Sequence, residues 1–433
     1  MERQPLGLSC SAAMHSVIAV NQAGEALTPC IIWADNRASA YADRLKNSEL
    51  GKDIYQHTGT PIHPMSPLCK ITWLREHQPK IFQAAHKFVG IKEYIMFRFF
   101  GQWLVDYSIA SATGLFDNQT LDWYAPALEF AGIAPAQLSE LVPPTFILSS
   151  LNPGIAEQID LEPQTPFVIG ASDGCLANLG ALALHKGETV VTLGTSAAIR
   201  MTGDRPVHDA QERIFNYILT ENLYVSGGAS NNGGIVYQWF MEEFSNQKVS
   251  KEQAFAGIKK LRKIPAGSEG LLFLPYLAGE RAPLWDAEAR GAFIGVTKVH
   301  TKLHFQRAVF EGILLNVLQI GEALTESIGH TEIIYANGGL AQIDILMQIL
   351  ADMFGVQVSV QENEEASAFG AFLLGMKAFG LIGDFAEARN MIPTGKTYMP
   401  DPTNHAVYRS YFDVFKNLYS KLKPDFEKLA GTD

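Results

Sequence analysis

Chemistry is most legible at Gly194-Thr195-Ser196, inside the stretch "ETVVTLGTSAAIRMTG" at residues 188–203. An alternating apolar run from Glu188 to Leu193 breaks there and a second short strand resumes, which predicts a hairpin. Its turn would present successive backbone N–H groups and two hydroxyls at one point, an arrangement suited to an anion such as phosphate. Three other patterns fail. "PTGKTY" at 393–398 holds Gly395-Lys396-Thr397, but a phosphate-binding loop of that kind needs Gly five residues before its Gly-Lys, and Asn390 stands there. An ordinary loop is expected instead. His300 and His304 have helical i,i+4 spacing, yet no Glu follows His300 and no third ligand is evident, so a structural pair is expected rather than zinc. No Gly-x-Gly-x-x-Gly follows a strand, which leaves a dinucleotide fold without support.

The elements that must position such a turn read as alternating strands and helices. "LGLSCSAAMHSVIAV", the turn "NQAGEAL" and "TPCIIWADN" predict strand, turn, strand. Helical patterns follow at "RASAYADRLKNSEL" and "LCKITWLREHQPKIFQAA", then a strand "HKFVGI" and a helix "KEYIMFRFFG". "DYSIASATGLFDNQTLDW" reads as a loop with short strands, and residues 143–166, rich in Pro, Asn and acid, as a connector. "PFVIGASDGCLANLGALALHKG" gives a strand, a turn at Gly170-Ala171-Ser172-Asp173-Gly174 and an apolar helix. Beyond the hairpin come a strand "NLYVSGGAS", helices at "GGIVYQWFMEEF" and "LHFQRAVFEGILLNVLQIGEAL", a strand "EIIYAN", Gly338-Gly339, a helix "QIDILMQILADMFG", a strand "VQVSVQ" and a helix "EASAFGAFLLGMKAFG". The pattern predicts two α/β domains, 1–183 and 184–433, with a ligand cleft between them.

The totals fit a large core: 433 residues, 47% apolar and 18% charged. No apolar run reaches the roughly 18 residues that span a bilayer, and "MERQPLGLSC" lacks signal-peptide character, so a soluble cytoplasmic protein is expected. The formal charge of −11 argues against nucleic acid as a partner, and it obliges an anionic substrate to be held by local groups. Cys10, Cys30, Cys69 and Cys175 form no Cys-x-x-Cys pair, which points to free thiols in a reducing compartment.

Two longer patterns carry a family resemblance. "MSPLCKITWLREH" (65–77) combines a Pro entry with Lys70, Trp73 and Glu76-His77; "GAFIGVTKVHTKLHFQRAVFE" (291–311) is a Gly-spaced strand followed by a helix with His304, Ala308 and Glu311. Together, and in order, they resemble the two signatures of the FGGY carbohydrate kinase family. The resemblance covers the chain from about Leu6 onward. Within the family it is strongest toward the gluconate kinases, through "SAAMHSVIAV", "IIWADNRA", "GTPIHPMSPL", "DYSIASATGLF" and "VIGASDG". It implies two actin-like (ribonuclease H-like) ATPase domains closing over sugar and nucleotide, and ATP with Mg2+ as cofactors. It implies neither membrane nor nucleic acid as partner and leaves a homodimer open.

The same resemblance assigns residues. Asp173, in the Gly-x-x-Asp-Gly turn, would take the proton of the sugar hydroxyl, with Gly174 beside it; a plain helix cap is the bland alternative. Met14 and His15, Asp106 and Tyr107 would touch the sugar, and Trp33, Asp35 and Arg37 lie in another family phrase on that side. Arg37 would face either a sugar-acid carboxylate or Asp35. Gly194, Thr195 and Ser196 match the loop that faces the γ-phosphate, Gly234 and Gln238 the start of the helix beside the adenosine, and Gly338-Gly339 the turn under the adenine. Some relatives place a polar residue four positions on, where this chain has Ile343. No residue is assigned to bind metal directly.

One family element has no counterpart. An actin-like kinase carries a second phosphate turn, of Asp-x-Gly-Thr-Thr type, in its first domain, and none precedes residue 188. The expectation is an N-terminally truncated first domain lacking roughly 50 to 80 residues, with the strand at Leu6 to Ser11 left as an apolar edge. Two alternatives to a gluconate kinase stand: a pentulose kinase of the xylulokinase type, whose relatives share the Met-His and Asp-Gly phrases, and, from the missing turn, a remnant that binds without turnover.

Overall fold

A computed structural model describes residues 5–244, 258–361, 365–391 and 394–430. The chain divides into two compact units. Unit 1 comprises Met1–Leu184, Thr202–Ser226 and Glu365–Met391; unit 2 comprises His185–Met201, Gly227–Glu364 and Ile392–Asp433. The first break falls after Leu184, and two later stretches return to pack with the first unit.

In unit 1 the strands that matter here are β1 (Leu8–Ala12), β2 (Ile18–Val20), β3 (Lys87–Val89), β4 (Leu104–Asp106) and β5 (Phe167–Ser172). β1 lies parallel to β5, with Leu8 opposite Phe167 and Ala12 opposite Ser172. The register slips between Ser9 and Ser11, and Gly170 absorbs the slip: its φ is +76°, and a Cβ there would sit 1.8 Å from the Cys10 carbonyl oxygen. β2 pairs antiparallel with β3. The apolar faces of the surrounding helices close over Ile54, Leu68, Ile71, Leu74, Phe88 and Leu115, all buried.

Helix boundaries follow local chemistry more finely than the periodicity indicates. The single helical stretch expected after Arg37 is two helices, Ser39–Lys46 and Glu49–Thr58, because the Ser48 hydroxyl caps the second by accepting the Gly51 N–H at 3.1 Å. The next stretch also divides. α1 (Pro67–His77) is capped by Ser66 and ends at Gln78, before Pro79 opens a separate short helix. "DYSIAS" is a helix rather than a loop, α3 (Tyr107–Ser111), since Asp106 Oδ1 accepts the Ile109 N–H at 3.0 Å. Between them lies α2 (Ile91–Phe100).

α4 (Asp173–Gly180) leaves the end of β5 with Ser172 as its cap. In the same unit α8 (Ala366–Ala378) presses directly on it. A Cβ on Gly180 would lie 1.9 Å from the Ala366 carbonyl oxygen, and one on Gly370 1.9 Å from that of Leu176. Only glycine, which lacks a Cβ, admits such backbone contact.

Unit 2 carries most of a seven-stranded sheet in which, after an edge strand at Phe215–Thr220, the strands run β8 (Leu223–Ser230), β7 (Ala197–Gly203), β6 (Glu188–Leu193), β9 (Ile333–Asn337), β10 (Gln357–Gln361) and β11 (Thr394–Tyr398). β6 and β7 form the expected hairpin, closing at Leu193 opposite Ala197. β6, β9 and β10 are parallel, and β11 is antiparallel to β10. The "PTGKTY" segment is thus largely a strand and not a loop, because its extended backbone completes the ladder of β10. The helices named below are α5 (Gly234–Phe244), α6 (Lys302–Ser327) and α7 (Asp344–Phe354). α6 is long and apolar enough by composition to cross a membrane, but 83% of its apolar window is buried inside the protein, which makes it a core helix.

A buried carboxyl makes unit 1 sensitive to pH. Glu93, on α2, accepts the Gly90 N–H (2.5 Å) and the Ser139 hydroxyl (2.6 Å), and burial pushes it up to about 7. Asp106 raises it further and Lys92 opposes. Native Glu93 therefore holds its proton where the unfolded chain has lost it, so its contribution is full below about pH 4.5 and is lost as pH rises through about 7. Relative to Glu93→Gln, the wild type should lose about 3 kcal/mol across that window, read from melting temperatures at pH 5 and 7.5. Parallel profiles would refute this.

Candidate active site

Parallel pairing brings the sugar-side candidates of unit 1 to one edge. Because Ala12 lies opposite Ser172, the residues that follow each strand, Met14-His15 and Asp173-Gly174, emerge side by side. This is the carboxyl end of the strands, where open α/β sheets place ligands. α3 joins them: the Ser108 hydroxyl accepts the Ser172 N–H (3.1 Å) and lies 2.9 Å from the Ser172 hydroxyl. Asp173 is partly exposed, its Oδ1 accepting the Gly174 N–H at 2.7 Å, and Tyr107 is likewise partly exposed.

His15 sits in the left-handed region at φ +65°, buried, with Nδ1 2.8 Å from the Ala112 carbonyl oxygen. Such backbone strain costs about 1–3 kcal/mol and persists only where neighbours enforce it. Lys70 is the enforcer. Its Nζ, wholly buried, donates to the carbonyl oxygens of His15 (2.6 Å) and Ile32 (2.7 Å). Burial pushes this amine down to about 8.

Two expected sugar contacts are engaged elsewhere. Asp106 is fully buried: one oxygen caps α3 and the other pairs with Lys92 Nζ at 2.5 Å. It therefore positions Tyr107, with no oxygen turned outward. Arg37 makes a two-point pair with Asp35 (Nε to Oδ1 2.8 Å, Nη2 to Oδ2 2.7 Å) and stacks over Trp73 at 4.9 Å, so of the two partners open to it the structure records Asp35. The pair holds the Asp35 carboxyl below its usual range. Trp33 is 43% exposed beside them in sequence.

The phosphate candidates of unit 2 form a second group. Thr195 and Ser196 are exposed at the hairpin tip, and Gly194 donates its N–H to the Ser196 carbonyl at 2.9 Å. The tip is clamped to α5: the N–H groups of Gly234 and Ile235 donate to the carbonyls of Gly194 (2.8 Å) and Thr195 (3.1 Å). A Cβ on Gly233 would lie 2.5 Å from the Ser196 carbonyl carbon, so the helix start and the turn are in backbone contact. Gly338, at φ +91°, packs against Leu193, whereas beside Gly339 there is open space. Gln238 is exposed and donates to Glu242 (2.8 Å); Ile343 is buried, its side chain in the core.

Neither histidine of the i,i+4 pair is open to metal. His304 Nε2 faces Glu269 at 3.2 Å and its Nδ1 faces Thr301, while His300 Nδ1 accepts the Thr297 N–H. Among the described residues no three acidic, His or Cys side chains are grouped to hold an ion. A magnesium ion arriving on ATP is bound chiefly by phosphate oxygens and water, so it needs no such cage. The exposed hydroxyls of Thr195 and Ser196 are oxygen donors of suitable hardness.

Sequence reasoning passed over the buried carboxylate of Glu280 and its partners behind the Gly194–Ser196 turn. The one signal was a charged pair, Glu280-Arg281, set in the otherwise uncharged run "LPYLAGERAPLW".

A partly exposed aspartate opening a helix in one α/β unit, and a hydroxyl-bearing hairpin turn in another, are compatible with a phosphotransferase of the actin-like type. The chain belongs to the FGGY family of carbohydrate kinases: residues 1–180 match the family's N-terminal domain and 189–379 its C-terminal domain. It is 45% identical over 438 residues to a gluconokinase of Bacillus licheniformis, covering 99% of this chain and 85% of that one. To a xylulose kinase of Bacillus subtilis it is 30% identical, covering 96% of this chain and 83% of the other. A crystal structure of gluconate kinase from Lactobacillus acidophilus superimposes with a TM-score of 0.95 at 34% identity, covering 99% of this chain and 87% of that one.

Replacing Lys70 by Met should leave the buried His15 carbonyl and the partly exposed Ile32 carbonyl without their donor, at a cost of about 1–3 kcal/mol. It should also release the His15 backbone and raise the KM for the sugar while leaving that for ATP unchanged. Chemical denaturation and steady-state kinetics check both. An unchanged sugar KM would remove Lys70 from the site.

Proposed function

We propose that this chain transfers the γ-phosphoryl group of ATP to the 6-hydroxyl of D-gluconate, with Asp173 as general base. The observation that carries the reading is that β1 and β5 end at one edge, Ala12 opposite Ser172, with α3 bonded there through Ser108, which brings the segments bearing Met14-His15, Tyr107 and Asp173 close in the fold. The identity to a gluconokinase, higher than that to a xylulose kinase, supports the choice of sugar.

In this reading Asp173 accepts the hydroxyl proton as the oxygen bonds to the γ-phosphorus. The bond to the β–γ bridging oxygen breaks, and ADP leaves with that electron pair. Asp173 is suited to the task because the start of α4, fixed by β5 below and α8 beside it, holds the carboxylate in place, and such transfer depends mainly on positioning and charge neutralisation. Thr195 and Ser196 hold the terminal phosphate through N–H and hydroxyl donors, while Gly194, whose own N–H closes the turn on the Ser196 carbonyl, leaves room for it. Gly339 leaves room for the base while Gly338 turns the chain against Leu193, and Gly234 and Gln238 would lie beside the nucleoside. Magnesium, when bound, neutralises phosphate charge. Four free cysteines fit a reducing, cytoplasmic setting.

Xylulose phosphorylation is the second reading, favoured by the xylulose kinase relative. Coupled ADP release with Mg-ATP, comparing gluconate with xylulose, separates the two by the ratio of kcat/KM. Asp173→Asn should lower kcat by about 10²–10⁴ with little change in either KM. Equal turnover in that variant would remove Asp173 as the base, and a folded wild type that turns over neither sugar would leave a binding remnant.

A further inference from the structure

Beneath the phosphate turn of unit 2 lies a carboxylate that nothing in the mechanism uses. Glu280 is completely buried, with burial pushing its carboxyl up and hydrogen bonds opposing that shift. Its partners are all donors. Oε1 accepts the backbone N–H groups of Asn231 and Arg281, each at 2.8 Å. Oε2 accepts the Ser230 hydroxyl (2.6 Å), the Asn316 amide (2.8 Å) and the Asn232 amide (3.1 Å). Five donors converging on two oxygens match an ionised carboxylate and leave no position for an amide.

The donors come from three places. Ser230, Asn231 and Asn232 form the connection from β8 to α5, Asn316 is on α6, and Arg281 follows Glu280 in a turn closed by reciprocal backbone bonds between Glu280 and Asp286 (2.8 Å each). Asn232 adds a second tie, its amide donating to the Gly279 carbonyl at 2.7 Å. The connection so fixed continues directly into Gly233, Gly234 and Ile235, the residues in backbone contact with Gly194, Thr195 and Ser196. A rigid core helix, a buried anion and the phosphate turn are thus joined in one short chain of contacts.

We infer that Glu280 is a positioning residue for nucleotide binding: by anchoring Ser230–Asn232 to α6 it holds the start of α5, and through it the turn Gly194–Ser196, in the geometry that receives the terminal phosphates of ATP. The inference rests on the assignment of that turn as the phosphate site. Glu280 touches no reacting atom; it acts through Asn231, Asn232 and the glycines that follow.

The test uses the whole chain and three variants, with ADP and a non-hydrolysable ATP analogue titrated by calorimetry beside steady-state kinetics. Glu280→Gln keeps the shape but turns one acceptor into a donor, so at least two of the five donors lose their partner. It should weaken nucleotide binding and raise the KM for ATP about tenfold or more, with the sugar KM within about twofold of wild type. Gly233→Ala, which pushes a methyl into the Ser196 backbone, should reproduce that profile. Asn316→Ala removes one donor of five and should give a smaller loss in the same direction; it decides the matter if Glu280→Gln does not fold. A purely structural role would lower the melting temperature with nucleotide affinity unchanged, and that result in Glu280→Gln or Asn316→Ala overturns the inference. If Gly233→Ala weakens binding while the other two do not, the turn binds phosphate but Glu280 does not set it. Failure of the wild type to bind either nucleotide would instead refute the phosphate assignment itself.

Discussion

The parallel register of β1 on β5 is the constraint from which the arrangement around Asp173 follows. It aligns two strands far apart in sequence so that both end at the same edge, Ala12 beside Ser172, and it starts the segments that carry Met14-His15 and Asp173 from that one edge. The alignment depends on an irregularity. With any side chain at residue 170 the Cys10 carbonyl would be struck, and the last residues of β1 could not regain register with Ala171 and Ser172. Asp173 then inherits a fixed origin from the strand and a fixed direction from α4, whose flank is closed by the glycine-mediated contact with α8.

Buried charge does the remaining positioning in both units. In unit 1, Lys70 bridges the carbonyls of His15 and Ile32, and Lys92 neutralises the Asp106 carboxylate under Tyr107. In unit 2, Glu280 gathers five donors behind the Gly194–Ser196 turn. An ion removed from water is expensive unless its hydrogen-bonding capacity is filled, and once filled it tolerates little displacement of its partners. That intolerance suits a kinase of this kind, which has little covalent chemistry of its own to perform and works by holding two substrates in place. The exposed groups, the Thr195 and Ser196 hydroxyls and the Asp173 carboxylate, stand on these buried supports.

Much of this was legible in the residues. The β6–β7 hairpin and its Gly-Thr-Ser turn, the strand–turn–helix at Asp173, and the strands and helices of unit 2 follow from alternation, helical periodicity and turn residues, all of which act within a few positions. Where local chemistry competed with periodicity, the pattern overran: Ser48 and Pro79 divide helices that look continuous, and Asp106 converts an apparent loop into α3. The edge strand β11 was hidden because its residues carry little strand signal, and its conformation is supplied by the ladder of β10.

The sequence by itself determined the family, through two spaced signatures, and the identity of the residues at the ends of strands and in turns, because those depend on local sterics and capping. Tertiary structure alone decided what each charged residue does. Asp106, Arg37 and Glu280 look equally available in the sequence, yet the first is paired with Lys92, the second with Asp35, and the third fills a buried ring of donors. Their partners lie as far off as Asn316, and no local pattern encodes which donors a fold will bring to a given carboxylate. The return of Glu365–Met391 to unit 1, which places α8 against the helix of Asp173, is of the same kind: it is fixed by glycines at 180 and 370 that acquire meaning only when the two helices meet.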